Sequence, residues 1–153
     1  MRKLGMLAAV ATALIAMTSA TFAASPHVVG SLTTTSGPGS NQVTISGKIA
    51  GLGNGYTGTS LTGTADATFD VQCANPQGKL APGQQGVSSS LTGSGAIDSV
   101  ESNGNYNFHI TFTINLTPAK AWGCPNNQWT ASAINLSLTL TSLKLSDGTE
   151  VRV

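Results

Sequence analysis

Apolar and polar residues alternate strictly along much of this chain, most clearly from Tyr106 to Leu116. There Tyr106, Phe108, Ile110, Phe112, Ile114 and Leu116 alternate with Asn107, His109, Thr111, Thr113 and Asn115, the period of two that marks a half-buried strand. A second run keeps Leu61, Gly63, Ala65, Ala67, Phe69, Val71 and Cys73 on one face, opposite Thr62, Thr64, Asp66, Thr68, Asp70 and Gln72, so Cys73 points inward. The segment from Thr57 to Cys73 reads as one long strand or as two joined at Gly63. From Val87 to Ile97 the inward set is Val87, Ser89, Leu91, Gly93, Gly95 and Ile97. That signal is weaker, because Gly and Ser bury little and glycine marks bulges or close backbone approach.

Toward the C-terminus the phase changes: Trp129, Ala131 and Ala133 fall on odd positions, Ile134, Leu136, Leu138 and Leu140 on even ones. A bulge near Ala133 reconciles them. A second slip after Thr141 gives Leu143 and Leu145, then Asp147-Gly148, then Val151 and Val153, the signature of a hairpin with a two-residue turn. Two earlier strands are expected at Val28 to Thr34 and Val43 to Ile49, with loops at Ser36 to Asn41, Gly51 to Gly55, Ala74 to Gly86 and Ser102 to Asn105. No segment carries a 3.6-residue apolar stripe, so helix content should be small. The pattern predicts an all-β, antiparallel fold of seven or eight strands, an immunoglobulin-like β-sandwich with one disulfide rather than a closed barrel.

The first residues break this pattern. Arg2 and Lys3 precede an apolar run from Leu4 to Met17, followed by small residues ending at Ala23. The run is too short to span a bilayer, and Thr21 and Ala23 occupy the small-residue positions before a cut. Residues 1–23 are therefore read as a secretory leader removed after Ala23, and residues 24–153 as a single secreted or extracytoplasmic domain with no transmembrane segment. Loss of Arg2 and Lys3 leaves five basic residues against six acidic ones. Lys48, Lys79, Lys120, Lys144 and Arg152 are scattered singly, which argues against nucleic acid or anionic lipid as a partner. The low charge and 40% hydrophobic content argue against disorder. In an oxidising compartment the two cysteines, Cys73 and Cys124, are expected to pair with each other rather than remain free thiols.

Chemistry-bearing residues are few. Only His27 and His109 could act as imidazole bases, and neither has a partner visible in the sequence. A nucleophile needs a base and an orienting third group, and abundant serines do not supply them. Asp66 and Asp70 share a strand face but stand about 13 Å apart at strand rise, too far for a hydrolytic carboxylate pair. Asp98 and Glu101 are the nearest approach to a calcium-binding cluster, against the simpler reading of a solvated turn. Asn115-Leu116-Thr117 and Asn135-Leu136-Ser137 match the glycosylation triplet but fall inside strands. Nothing calls for a cofactor.

The loops around the cysteines are the most distinctive segments: Cys73-Ala74-Asn75-Pro76-Gln77-Gly78, Pro82-Gly83-Gln84, and Gly123-Cys124-Pro125-Asn126-Asn127-Gln128-Trp129. Together with Gly51-Leu52-Gly53-Asn54, and over about Val43 to Thr141, the chain resembles small secreted bacterial proteins of the kind frequent in actinobacteria and other soil bacteria. The resemblance implies an exported, disulfide-containing β-domain and assigns no functional residue. Trp122 and Tyr56, with Asn126 and Asn127 as donors, form the candidate ligand contacts, since aromatic faces beside carboxamides suit sugar rings. Trp122 is expected to be the more exposed tryptophan and Trp129 to be core, packed on the disulfide. The shortage of convergent titratable groups favours a non-enzymatic surface or matrix protein that binds glycan or another extracellular protein. A secreted enzyme with an unrecognised site, and a self-assembling filament or coat subunit joined by strand edges, are the alternatives.

Overall fold

The computed structural model describes residues 25–36 and 41–153. The leader expected at residues 1–23 lies outside the described residues. Among the described residues eight strands follow one another: β1 (His27–Ser36), β2 (Gln42–Ala50), β3 (Ser60–Ala74), β4 (Leu80–Pro82), β5 (Val87–Val100), β6 (Tyr106–Thr113), β7 (Thr130–Leu145) and β8 (Glu150–Val151). The one helical element described is a 3-10 turn at Ala119–Trp122. The alternation seen in the sequence is the alternation of burial. Residues Leu61 to Cys73 of β3 and Tyr106 to Phe112 of β6 turn their apolar sets inward, and Ile114 and Leu116 stay buried beyond the end of β6. β3 runs through Gly63 without a break.

Hydrogen bonding joins every strand into one antiparallel sheet in the order β1-β2-β6-β5-β3-β7-β8, with β4 on the free end of β3. The two face-to-face sheets of an immunoglobulin-like sandwich are therefore not formed. β3 and β7 pair almost from end to end, leaving no gap at which the sheet could divide. The sheet instead curls into a half-barrel. Its first and last strands touch at one end, where Val28 N–H donates to the Arg152 carbonyl (2.8 Å) and Arg152 N–H to that of Pro26 (2.9 Å).

The curl encloses the core in two parts. At the end where the sheet's margins touch, Ile45, Ile49, Leu61, Ile97, Tyr106, Phe108, Ile110, Leu143 and Leu145 pack together. At the other end Phe69, Val71, Ile114 and Leu116 surround the Cys73–Cys124 disulfide. Inward glycines set the depth of this packing. A Cβ on Gly63 would lie 2.8 Å from Ile110 Cδ1, and one on Gly93 2.7 Å from Phe112 Cδ1. The bare backbone of β3 and β5 is thus what lets the large residues of β6 fill the interior.

Both phase slips in β7 are bulges. The first lies at Asn135, two residues beyond the expected Ala133, where Thr68 pairs with Ser137 and Asp70 with Ile134. Asn135 adopts φ 53° there, and its carboxamide donates to Asp70 Oδ2 (2.9 Å). The second is at Thr141, whose hydroxyl donates to the Thr64 carbonyl (3.0 Å). The β7–β8 hairpin turns at Asp147-Gly148 through three residues rather than two, with Gly148 at φ 89° and Leu145 N–H donating to the Thr149 carbonyl. The Asn75–Lys79 and Glu101–Asn105 turns repeat this arrangement around Gly78 and Gly104.

Candidate functional site

The distinctive cysteine loops converge on one end of the half-barrel, and most of their unusual residues are explained by local geometry. Asn75 Oδ1 accepts from the N–H groups of Gln77 (3.0 Å) and Lys79 (2.7 Å), which fixes the β3–β4 turn. Gly83 lies against the disulfide. A Cβ there would come 2.7 Å from the Trp122 carbonyl and 3.1 Å from Cys73 Sγ. Gln84 N–H then donates to that carbonyl at 2.9 Å. Gly123 closes the 3-10 turn at φ 84° and delivers Cys124 to its partner. These motifs build a clasp between β3, β4 and the β6–β7 connection.

The aromatic set expected to act together is divided. Trp122 is half-buried, tilted against Phe69 with ring centroids 6.3 Å apart, and belongs to the packing around the disulfide. Tyr56 sits at the opposite end of the half-barrel, edge-on to Tyr106 at 6.3 Å, whose hydroxyl donates to the Gly53 carbonyl (2.8 Å). Strand β3 runs between them: Phe69, on which Trp122 packs, lies nine residues from Ser60, about 30 Å at strand rise. Trp129 also packs against the disulfide cluster, but only half-buried. It lines a surface groove of about 340 Å³ with Asn41, Thr117, Pro118, Asn127 and Thr130. Asn126 Oδ1 accepts from Gln128 N–H (2.9 Å) and Asn127 Oδ1 from Lys120 N–H (3.3 Å), so both carboxamides are oriented by the loop.

Asp98 and Glu101 do not converge on a shared cation. A register shift between Ile97 and Ser99 makes Asp98 the extra residue of a bulge in β5. His109 Nδ1 donates to its Oδ1 at 2.7 Å. Glu101 instead takes Lys48 Nζ at 2.7 Å, and that hydrogen bond holds its carboxyl below the usual range. Among the described residues no group of three metal-ligating side chains comes together. The pairing of His109 with Asp98 is the feature that sequence reasoning missed. Alternation puts both residues on the outer face, but nothing in the sequence makes β5 and β6 neighbours or sets the register that brings residue 98 to residue 109. Among the described residues the His27 ring, by contrast, meets a backbone carbonyl, that of Ser25 at 2.9 Å.

Among the other acids, Asp70 braces the first β7 bulge. Asp70 accepts from Asn135 and from Gly86 N–H (2.8 Å), and these bonds hold its carboxyl below the ordinary value. Asp66 is exposed on the outer face between Ser90 and Thr139.

No family model matches the chain, and no curated protein or solved structure matches it. Among the described residues no helix is long and apolar enough to cross a membrane. The Cys73–Cys124 bond accords with an oxidising, extracytoplasmic setting.

Proposed function

We propose that this chain is an exported binding module that holds a glycan at its disulfide-clasped end. The observation that carries the reading is the groove of about 340 Å³ beside Trp129, in which a half-buried indole stands next to Asn127, Thr117 and Thr130. Aromatic surface flanked by amide and hydroxyl groups matches a sugar ring, which has an apolar face and a rim of hydroxyls. The disulfide and the 3-10 turn hold these loops on a rigid frame, so little ordering is needed on binding. The leader and the resemblance to small secreted bacterial proteins belong to the same reading. This places the main contact on Trp129 and Asn127 rather than on Trp122 and Tyr56. A glycan array on the secreted protein, followed by titration of tryptophan fluorescence with the best ligand, tests it. Trp129→Phe and Asn127→Ala should each weaken binding, and Tyr56→Phe should not. A protein that retains no glycan, or binds one equally well without Trp129 and Asn127, would refute the reading.

A second reading, self-association through a strand edge, is favoured by one observation. Residues Thr33 to Ser36 of β1 are exposed on both faces, and the described pairing leaves them bonded only to β2. This stretch carries neither charge nor proline, the usual devices that discourage edge pairing. Sedimentation at increasing concentration, with Thr34→Lys as control, separates the two readings: assembly abolished by the lysine supports the edge.

A further inference from the structure

We propose that the outer face of the sheet carries a hydrolytic site in which Ser46 is the nucleophile and His109 its general base. Asp98 is the positioning residue, and the substrate is a carboxylic ester seated in the groove beside β1. This goes beyond the glycan reading and uses a different part of the molecule.

The three side chains come from three adjacent strands. Ser46 of β2 is the direct cross-strand partner of His109 of β6, so both project from the same face with Cβ atoms about 4.5–5.5 Å apart. On the other side of His109, the β5 bulge turns Asp98 and Ser99 out together. Ser99 Oγ accepts from Asn107 (3.1 Å), and Asp98 accepts from His109 Nδ1 (2.7 Å). A carboxylate on Nδ1 fixes the tautomer that leaves Nε2 as a proton acceptor. Ser46 and His109 are not hydrogen-bonded in this structure; their side chains turn toward each other across the β2–β6 pair when substrate binds.

The face is not flat at this point. Between the pairs Val29–Lys48 and Thr33–Ser46, three residues of β1 pass a single residue of β2, so Gly30, Ser31 and Leu32 leave the ladder, with Gly30 at φ 73°. The departure opens a groove of about 470 Å³, within the range of small-molecule sites, lined by Gly30, Ser31, Thr33, Ser46, Lys48 and Asp98. Lys48 lies in the groove wall with its Nζ paired to Glu101 Oε1 at 2.7 Å.

In the acylation step Ser46 Oγ bonds to the ester carbonyl carbon while its proton passes to His109 Nε2, and the carbonyl electron pair moves onto oxygen. Collapse expels the alcohol oxygen, which takes the proton from Nε2. Acyl-Ser46 and the free alcohol result. Water, deprotonated by the same nitrogen, then releases the carboxylic acid and restores Ser46.

The experiment uses the secreted protein with para-nitrophenyl acetate as substrate and an alkyl fluorophosphonate as trap, read by peptide mapping. The adduct is expected on Ser46. Ser46→Ala and His109→Gln should each lower hydrolysis about a hundredfold or more, to the level of the urea-unfolded chain. Asp98→Asn should lower kcat while leaving KM for the ester unchanged, a split that a purely structural role would not produce. All three positions are on the outer face, and unchanged melting temperatures would confirm that the variants fold. Hydrolysis no faster than in the unfolded chain, an adduct confined to other residues, or a rate indifferent to Ser46→Ala would overturn the proposal.

Discussion

Replacing Gly63 by alanine probes the depth at which β6 packs against β3. The new Cβ would stand 2.8 Å from Ile110 Cδ1, 3.1 Å from the Ser142 carbonyl oxygen and 3.3 Å from Leu140 Cδ1. Carbon atoms pack best at about 3.5–4.0 Å, so the Ile110 side chain must yield by roughly 1 Å. Ile110 is fully buried, so the displacement has to be absorbed by the core residues packed around it. Overpacking of this kind costs about 1–3 kcal/mol, and the smaller conformational freedom of alanine in the unfolded chain offsets about 0.5–1 kcal/mol. A net loss of about 1 kcal/mol or somewhat more is expected. Ile110→Val removes the atom that obstructs the new methyl and by itself costs about 0.5–1.5 kcal/mol. The two changes therefore should not add: the double variant should be more stable than the sum of the singles by about 1 kcal/mol. Urea denaturation followed by tryptophan fluorescence measures all four proteins, and unchanged m-values would confirm a common unfolding transition. Additivity within about 0.5 kcal/mol, or a stabilised Gly63→Ala protein, would refute the packing argument.

The disulfide closes a separation of 51 residues, and on the loop-entropy model Cys73→Ser with Cys124→Ser should cost about 4 kcal/mol, seen as a fall in the urea midpoint. A loss below about 1 kcal/mol would show that the clasp hardly restricts the unfolded chain. Trp122→Ala should lower the melting temperature clearly, because the ring packs against Phe69 and the disulfide cluster; a variant that melts like the parent would return Trp122 to the surface. Acid should weaken the fold through Asp70, whose bonds to Asn135 and Gly86 depress its folded pKa below 3.8. A depressed carboxyl contributes stability above its unfolded value, and that contribution is lost as pH falls through the lower folded value. The urea midpoint of Asp70→Asn should therefore drop less between about pH 6 and about pH 3 than that of the parent, and an equal drop would count against this role.

The sequence alone determined which residues face inward, since period-two alternation in β3 and β6 leaves a single choice of buried face for Leu61 to Cys73 and Tyr106 to Phe112. It also located the two slips in β7 to within two residues, because each shows as apolar residues moving from odd to even positions or back. The pairing of Cys73 with Cys124 followed from compartment and number. Strand order was beyond its reach. Alternation says nothing about neighbours, and so the choice of one curled sheet over two facing ones came from the end-to-end pairing of β3 with β7 and the contact of Pro26 and Val28 with Arg152. The site residues were hidden for the same reason. Tyr56 and Trp122 were separated along β3, while Ser46, Asp98 and His109, 63 residues apart at their extremes, were brought together by the β2–β6 register and a one-residue bulge in β5. Burial of a face is a local property of the chain that each residue signals through its own hydrophobicity. Register between strands distant in sequence depends on the sum of many weak pair contacts, and only the folded sheet evaluates that sum.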